Sequence, residues 1–315
     1  MIDTNNINCM LCGNDNSKFL FHAQDEEHGI EGTFTYNKCK KCGLVYMNPQ
    51  ITNEELAKYY PVDYVPHKTV NSPRKEEKKS NSKIVSAIKA FFFQHENISK
   101  VPFSIINALN SESKVLDVGC GNGTFMNDIR NKTKCLVDGI DFSETAVAAA
   151  KKSYGLNIIK GAIDKDLPFS PKSFDLITAW WFLVHVNNPD QVLQNIAKYL
   201  KDDGDCIIGI PNFNSFNARY FREKWFHLDA PKHLCIHTPS TIRTMLENNS
   251  FRVEKIIYDN HPSGLFGSLN NLYKIKNDKL PSFLIKMLFI FIAITSLFKV
   301  SDLMIVHAKK LNSQD

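Results

Sequence analysis

Short apolar runs and amphipathic stretches alternate along the chain from residue 84 onwards. The runs are rich in branched and aromatic residues, as buried strands are, whereas the stretches between them repeat their apolar residues every three or four positions, as helices do. This alternation predicts a parallel sheet covered by helices on both faces. The predicted strands are 114–118, 135–141, 157–162, 174–180, 205–211, 252–258 and 303–308, and the predicted helices include 190–200 and those that begin at Thr124 and Ser143.

Three other segments depart from this pattern. Residues 66–83 are polar and charged, and because they cannot bury enough apolar surface to order themselves they are predicted to be a flexible linker. The linker separates an N-terminal module, residues 1–65, from a large α/β domain, residues 84–315. Residues 212–236 and 260–301 exceed a minimal α/β unit and are predicted insertions, which in such folds usually build the substrate site.

Composition and charge narrow the class of protein. Hydrophobic residues make up 43% and charged residues 23%, which excludes wholesale disorder and a polytopic membrane protein. The net charge is +5, and residues 68–83 alone supply +4 of it, with six basic residues against two glutamates. Because the remainder of the chain is nearly neutral, no nucleic-acid partner is expected.

The cysteines point to a metal site. Residues 1–8 are polar and lack the apolar core of a secretory signal, so the expected location is the reducing cytoplasm, where cysteines are metal ligands or buried thiols rather than disulfides. Two CxxC pairs, Cys9/Cys12 and Cys39/Cys42, have the spacing of a tetrahedral four-cysteine zinc site. A redox role is less favoured because one pair would suffice and neither follows a βαβ unit. A zinc-ribbon-like module with structural Zn2+ is therefore predicted.

A glycine-rich turn follows the first predicted strand of the large domain and precedes a helix. Gly119, Gly121 and Gly123 allow close approach of the backbone to a ligand, but Thr124 and Met126 stand where a GxGxxG fingerprint would need its third glycine. Asp117 at the strand end suits a ligand that carries positive charge. S-adenosylmethionine has this character, with a sulfonium and an ammonium near the carboxylate and its own carboxylate facing the start of the helix.

The turn resembles the first motif, (D/E)xGxGxG, of the class I S-adenosylmethionine-dependent methyltransferases. The segments 166–169 and 173–177 resemble the LPF and SFD(V/L)I segments of that family, and Asp141 ends the next strand, where a carboxylate accepts ribose hydroxyls. The resemblance implies a Rossmann-like fold with a mostly parallel seven-stranded sheet. The implied cofactor-binding residues are Asp117, Gly119, Cys120, Gly121, Asn122, Gly123, Asp141, Phe142, Ala162, Ile163 and Trp180.

Two departures from the family pattern stand out. Gly161 is followed by Ala162 and Ile163 instead of an acidic residue, so the adenine is expected to be held by the backbone there or by Asp164. Relatives read LEHV after the fourth strand, whereas residues 183–186 here read LVHV, so the histidine is kept and the glutamate is missing. A non-catalytic scaffold that keeps the cofactor fold therefore stays open as an alternative.

Residues 39–60 resemble a zinc-binding module fused to bacterial methyltransferases of sugar and cell-surface polysaccharide pathways. This resemblance implies methyl transfer to a small sugar-like acceptor, either a nucleotide sugar or a lipid-linked saccharide, most simply on oxygen. The other enzyme class that stays open is an RNA or protein methyltransferase that uses the module for recognition.

A hydroxyl acceptor must lose its proton, so a general base is expected. His185 lies just past the fourth strand, and His233 lies in residues 229–234, which resemble a D-x-P-(R/K)-H-L segment of the same relatives. Histidine is the usual base near neutral pH. For each of the two, the alternative is a structural histidine that bonds a backbone carbonyl.

An apolar stretch near the C-terminus, residues 287–298, is flanked by Lys286 and Lys299. It is shorter than the roughly 20 residues that span a bilayer, so a transmembrane helix is not predicted. Two interpretations stay open. The stretch is either buried against the sheet or a homodimer partner, or it makes, through 283–299, a peripheral contact with the inner face of a membrane.

Overall fold

The computed structural model describes residues 2–60, 97–163, 165, 167–259, 261–274 and 281–311. The predicted linker, 66–83, lies outside the described residues, as do Asp164 and the predicted start of the large domain at residue 84. The linker and the domain boundaries therefore stay predictions.

The strands in chain order are β1 (Thr4–Asn5), β2 (Ser17–Ala23), β3 (Phe34–Cys39), β4 (Val45–Met47), β5 (Gln50–Ile51), β6 (Lys114–Val118), β7 (Leu136–Asp141), β8 (Ile158–Lys160), β9 (Phe174–Trp180), β10 (Leu200–Pro211), β11 (Cys235–Ile236), β12 (Phe251–Asp259) and β13 (Leu303–Lys310). The α-helices are α1 (Asn53–Leu56), α2 (Phe103–Ala108), α3 (Thr124–Thr133), α4 (Glu144–Tyr154), α5 (Pro189–Tyr199), α6 (Phe216–Phe221), α7 (Pro239–Asn248), α8 (Ser263–Tyr273) and α9 (Ser282–Leu297). Short 3-10 turns lie between several of these elements.

Seven strands form one sheet in the order β12-β13-β10-β9-β6-β7-β8. Strands β6 to β10 pair in parallel, whereas β13 runs antiparallel to both β10 and β12. This is the mostly parallel seven-stranded sheet that the sequence predicted. The parallel strands end at one edge, so the residues that follow β6, β7, β9 and β10 meet there.

Capping residues set where two of the helices that cover this sheet begin and end. The Ser143 side chain accepts a hydrogen bond from the backbone of Ala146 at the start of α4, and Gly155 ends that helix with a positive φ of 63°. Asn188 caps α5 in the same way, with Pro189 at its first turn. Such caps set a helix's direction and position before tertiary packing acts.

A second, antiparallel sheet joins the N-terminal module to the large domain. Its strand order is β11-β4-β3-β2, and β11 comes from within the predicted insertion 212–236. The Tyr36 hydroxyl of β3 donates a 2.7 Å hydrogen bond to the carbonyl of His233. One apolar cluster contains residues of both parts, including Tyr36, Trp225 and Phe266. The module and the two insertions therefore share a core.

The second insertion forms helices α8 and α9. The Phe289 ring of α9 lies 5.6 Å from the Phe266 ring of α8, and Ile285 and Ile292 are buried, so one face of α9 packs inward. The other face is exposed. None of the helices in the described part of the chain is long and apolar enough to cross a membrane.

Candidate active site

The glycine turn between β6 and α3 adopts a left-handed backbone conformation at its three glycines. Gly119, Gly121 and Gly123 have φ angles of 70°, 54° and 76°, a region that other residues adopt at a cost. A Cβ atom on Gly119 would lie 2.5 Å from Cδ2 of Phe182, and one on Gly123 would lie 2.8 Å from Cδ1 of Leu156. Only glycine therefore fits at these two positions.

Asp117 lies beneath this turn, almost fully buried. Its Oδ1 accepts a 2.6 Å hydrogen bond from the Thr178 hydroxyl of β9. Burial raises the pKa of Asp117 to about 7; the nearby Asp141 carboxylate raises it further, and the Thr178 hydrogen bond opposes the shift. A carboxyl group that titrates near neutrality becomes a carboxylate when a positive charge is placed beside it. Asp117 thus fits the sulfonium and ammonium of S-adenosylmethionine.

Asp141 ends β7 beside the turn. Its Oδ2 accepts a 2.8 Å hydrogen bond from the backbone N–H of Gly121, and its Oδ1 accepts one of 2.9 Å from Ser143. These bonds hold the carboxylate at the carboxyl edge of the sheet, where the sequence predicted a ribose contact. Phe142 follows, and its side chain is 54% exposed.

The other predicted cofactor residues lie in less open positions. Trp180 is buried, with its ring edge against Phe125, and its Nε1 has no hydrogen-bond partner among the described residues. Ile163 is fully buried, and its carbonyl accepts a hydrogen bond from Asn195, so its side chain belongs to the core. Cys120 is also buried, whereas Ala162 and Asn122 are half-buried.

The four paired cysteines converge. Sγ of Cys9 lies 3.5 Å from that of Cys42, Sγ of Cys12 lies 3.6 Å from that of Cys39, and all four sulfurs lie within 4.8 Å of one another. A tetrahedral ion with Zn–S bonds of about 2.3 Å needs sulfurs about 3.8 Å apart. The two measured sulfur separations are close to this value, so the cluster is near the size that a zinc ion needs.

The two cysteine turns have the same backbone. The N–H of Gly13 donates to the carbonyl of Cys9, and the N–H of Gly43 donates to that of Cys39, with positive φ at both glycines. Each turn thus places its two sulfurs on one side. The sequence contains this repeat as CxxCG at both sites.

A cavity of about 620 Å³ opens beside the carboxyl ends of β9 and β10. Its lining comes from distant parts of the chain. The residues that contribute charge, imidazole or an aromatic face are Glu26, Glu27, Lys100, Trp181, His185, Glu223, Trp225, Phe226, His227, Asp229, His233 and His261. Its volume is in the range of sites for small organic ligands.

His185 and His233 lie together in this cavity, with ring centroids 4.6 Å apart. Nδ1 of His185 lies 3.0 Å from the carbonyl of Lys232, and Nδ1 of His233 lies 2.9 Å from that of His227. Because a carbonyl only accepts, each Nδ1 carries the proton and each Nε2 keeps its lone pair. Each histidine thus makes the backbone contact of the structural alternative, and the catalytic role of either one stays a prediction.

Burial keeps these imidazoles neutral. Burial lowers the pKa of His185 and the nearby His233 adds to the shift, whereas the Asp229 carboxylate and the Lys232 carbonyl oppose it, and the resulting pKa is about 3. Burial likewise lowers the pKa of His233 to about 3. Both rings are therefore in the proton-accepting form throughout the physiological range.

A loop of the N-terminal module forms one wall of the cavity. The Asp25 carboxylate accepts backbone hydrogen bonds from Glu27, His28 and Ile30, which fixes the loop. Glu27 then pairs at 2.5 Å with Lys232.

Lys232 is fully buried and is paired on two sides. It lies 2.7 Å from Asp229 as well as 2.5 Å from Glu27. Although burial opposes it, the Asp229 and Glu27 carboxylates raise the pKa of Lys232, so the ammonium stays charged. The basic position of the D-x-P-(R/K)-H-L segment therefore ties the module to the cavity wall.

Tyr60 links the module to His185, a contact that sequence reasoning missed. Its hydroxyl lies 2.9 Å from Nδ1 of His185, and its ring meets that of Phe142 edge to face at 5.7 Å. Tyr60 thus lies between the predicted base His185 and Phe142, one of the predicted cofactor-binding residues. The sequence signal was only the tyrosine-rich end of the module.

The seven-stranded sheet and the glycine turn have the form of a class I methyltransferase fold. A family described as a methyltransferase domain matches residues 91–256, more than half of the chain. The chain belongs to this family.

Of two relatives with similar sequences, one is named as a methyltransferase. The chain is 29% identical over 107 residues to a ubiquinone biosynthesis O-methyltransferase of Neisseria meningitidis, which covers 32% of this chain and 45% of that protein. It is 30% identical over 135 residues to a protein of Methanocaldococcus jannaschii, covering 42% of this chain and 62% of that one. The chain thus spans about half the length of the curated relatives it matches.

Among solved structures, the geranyl diphosphate C-methyltransferase of Streptomyces coelicolor superposes with a TM-score of 0.54 at 14% identity. The superposition covers 83% of this chain and all of that one. At this identity the likeness shows a shared fold.

Proposed function

We propose that this methyltransferase acts on a hydroxyl group of a small sugar-like acceptor bound in the 620 Å³ cavity. The observation that carries the proposal is the pair His185 and His233, in which each Nδ1 is bonded to a carbonyl and each Nε2 keeps a lone pair. A hydroxyl must lose its proton as it attacks a methyl group, and a neutral imidazole accepts that proton.

The rest of the cavity lining suits a polyhydroxyl compound. Glu27 and Asp229 hold their carboxylates in place through Lys232, and carboxylate oxygens accept hydrogen bonds from hydroxyl groups. Phe226 offers a partly exposed ring on which an apolar sugar face can pack. His227 adds a buried Nε2 that has no partner within the described residues, so a ligand can supply one.

Different residues of the chain would bind the cofactor, orient the acceptor and remove its proton. Bound S-adenosylmethionine supplies an electrophilic methyl group, and Asp117, the glycine turn and Asp141 would hold it. The cavity wall orients the acceptor, and His233 or His185 takes the hydroxyl proton at Nε2. The carbonyls of His227 and Lys232 keep the Nδ1 proton in place and fix the ring orientation.

Two substitutions test the base. We expect His233→Asn or His185→Asn to lower kcat by about 10²–10⁴-fold for the residue that accepts the proton, and by less for its neighbour. The affinity for S-adenosylmethionine, measured by calorimetry, stays unchanged in both. Full turnover in both variants would place the base elsewhere.

The acceptor is found by labelling. Isotopically labelled S-adenosylmethionine is incubated with pools of nucleotide sugars and of lipid-linked saccharides, and mass analysis identifies the compound that gains a methyl group. Transfer to a hydroxyl of a saccharide supports the proposal, whereas labelling only of RNA or protein in parallel pools contradicts it.

We also propose that a structural zinc ion binds Cys9, Cys12, Cys39 and Cys42. The sulfur spacing and the two matching CxxCG turns support it. Four thiolates fill a tetrahedral site and leave no position for substrate, so the role is to order residues 2–60. Metal analysis of the purified protein should find one zinc per chain.

A further inference from the structure

One face of α9 is apolar, exposed and regular. Its exposed residues recur every third or fourth position, and each is between 46% and 80% exposed: Phe283, Met287, Ile290, Ile294 and Leu297. The opposite face carries the buried Ile285 and Ile292. A continuous exposed stripe of this kind on a folded protein marks a contact with another apolar phase.

The stripe continues beyond α9. Phe298 is exposed at the end of the helix, and Phe216 and Tyr220 of α6 are exposed and stacked on each other. The Phe216 ring lies 5.0 Å from that of Phe291, so α6 adjoins α9. We call the stripe together with Phe216, Tyr220 and Phe298 the apolar face.

The charge around the apolar face is positive. The described residues of 261–274 and 281–300 include Lys274, Lys286 and Lys299 and no aspartate or glutamate, and α6 contains neither acid. Lys286 and Lys299 are exposed next to Met287 and Phe298. Apolar and aromatic residues bordered by lysines are complementary to a bilayer surface that carries anionic headgroups.

The apolar face is one helix away from the cavity. Phe289 of α9 packs against Phe266 of α8, and the other side of α8 lines the cavity through Gly267, Asn270 and Asn271. An acceptor whose lipid stays in a bilayer therefore has only a helix diameter, about 10 Å, to cover to reach His185 and His233.

We propose that the apolar face lies in the surface of an anionic lipid bilayer, so that the cavity receives the polar head of a lipid-linked saccharide. The choice of acceptor rests on the proposed function; the bilayer contact does not. A second copy of the chain fits the face less well, because a two-fold contact would bring the lysine-rich borders of both copies together.

The test is flotation of the full chain with vesicles of phosphatidylcholine, alone or mixed with phosphatidylglycerol. We expect binding to the mixed vesicles, weakened by added salt, and at least about a tenfold loss of binding in Ile290→Glu/Leu297→Glu. The matched control is Phe103→Glu, since Phe103 is 74% exposed on α2, away from the apolar face. The control should bind as the unmodified protein does.

Two results would overturn the proposal. One is absence of binding to the mixed vesicles by the unmodified protein. The other is a dimer in light scattering without lipid that Ile290→Glu/Leu297→Glu converts to a monomer, which would assign the face to a second copy. Neither measurement depends on methyl transfer, so a failure to label any saccharide bears on the proposed function and not on the bilayer contact.

Discussion

The cofactor site and the acceptor cavity share one edge of the large sheet but are built in different ways. Asp117, the glycine turn and Asp141 lie within 25 consecutive residues, in one strand-turn-helix unit and the strand after it. The cavity takes Glu27 from the N-terminal module, and His185 and His233 from segments more than 150 residues further along the chain. The first site therefore depends on local backbone geometry, and the second depends on how the module and insertions pack.

The two sites also use burial differently. At Asp117 burial raises the pKa to about 7, so the group is ready to ionise beside a cation. At His233 burial lowers the pKa to about 3, so the ring stays neutral. Desolvation favours the neutral form of an acid and of a base alike, which makes one site responsive to pH near neutrality and leaves the other in one protonation state.

The largest expected effect comes from removing a cluster thiolate, because structural zinc sites contribute on the order of 10 kcal/mol of binding energy to folding. Cys39→Ser should lose stoichiometric zinc and unfold the small sheet. Turnover should then be abolished, because the module forms one wall of the cavity. Metal analysis, thermal unfolding and turnover measure this. Cys135→Ser is the control, since Cys135 is a buried thiol outside the cluster. If Cys39→Ser kept both its fold and its zinc, the zinc proposal would be wrong.

The next effect should be confined to the cofactor site. In Gly119→Ala the new Cβ would lie 2.5 Å from Phe182, and we expect affinity for S-adenosylmethionine to fall by about 100-fold, or about 2.7 kcal/mol. Gly155→Ala is the control, because Gly155 has a similar φ of 63° but no atom within 4 Å of the new Cβ. It should cost about 1 kcal/mol of stability and leave the calorimetric affinity unchanged. Equal losses in both variants would contradict a ligand-specific turn.

The third effect is a pH dependence of about tenfold. Because the folded pKa of Asp117 is about 7, raised from 3.8, this carboxyl group stabilises the ligand-free fold below pH 4 and loses that contribution as pH rises through 7. A cationic ligand requires the carboxylate, so affinity for S-adenosylmethionine should rise by up to about tenfold between pH 6 and 7.

Two variants check this assignment. Asp117→Asn should bind S-adenosylmethionine weakly and without the pH dependence. Thr178→Val removes the 2.6 Å hydrogen bond that lowers the pKa, so the midpoint should move to higher pH. An unchanged profile in Asp117→Asn would assign the titration to another group.

The smallest expected effect tests whether the N-terminal module influences methyl transfer through its contact with His185. Tyr60→Phe removes a single 2.9 Å contact to His185 and should lower kcat by about three- to tenfold with little change in affinity for S-adenosylmethionine. Tyr59→Phe is the neighbouring control, because the Tyr59 hydroxyl donates to the carbonyl of Glu31, away from the histidines. Equal turnover in both variants would mean that the module contributes to the cavity wall without influencing His185.

Much of the cofactor site was predictable, because its signals are local. Three glycines at fixed spacing after an apolar strand, with an acid at that strand end and at the next, define the turn by backbone sterics. Trp180 was harder to place, since alternate residues of a strand that is buried on both faces look alike in sequence. The CxxCG repeats were equally local, and the four sulfurs do converge.

The cavity was predictable only in part. His185 and His233 could be named from motifs, but their contact could not, since it requires β11 to pair with β4 and Tyr36 to bond the carbonyl of His233. Glu27 and Tyr60 carry no motif of their own. The module that carries them is joined to the large domain by a sheet in which β4 pairs with β11, more than a hundred residues further along the chain.

The sequence by itself thus determined the seven-stranded fold, the class of cofactor and the cysteine pairs, because each depends on the period or spacing of neighbouring residues. Only the tertiary structure decided which side chains line the cavity, which titratable groups are neutral and which face of α9 is exposed. These depend on burial and on long-range packing, and desolvation is a property of the assembled molecule that no short segment carries.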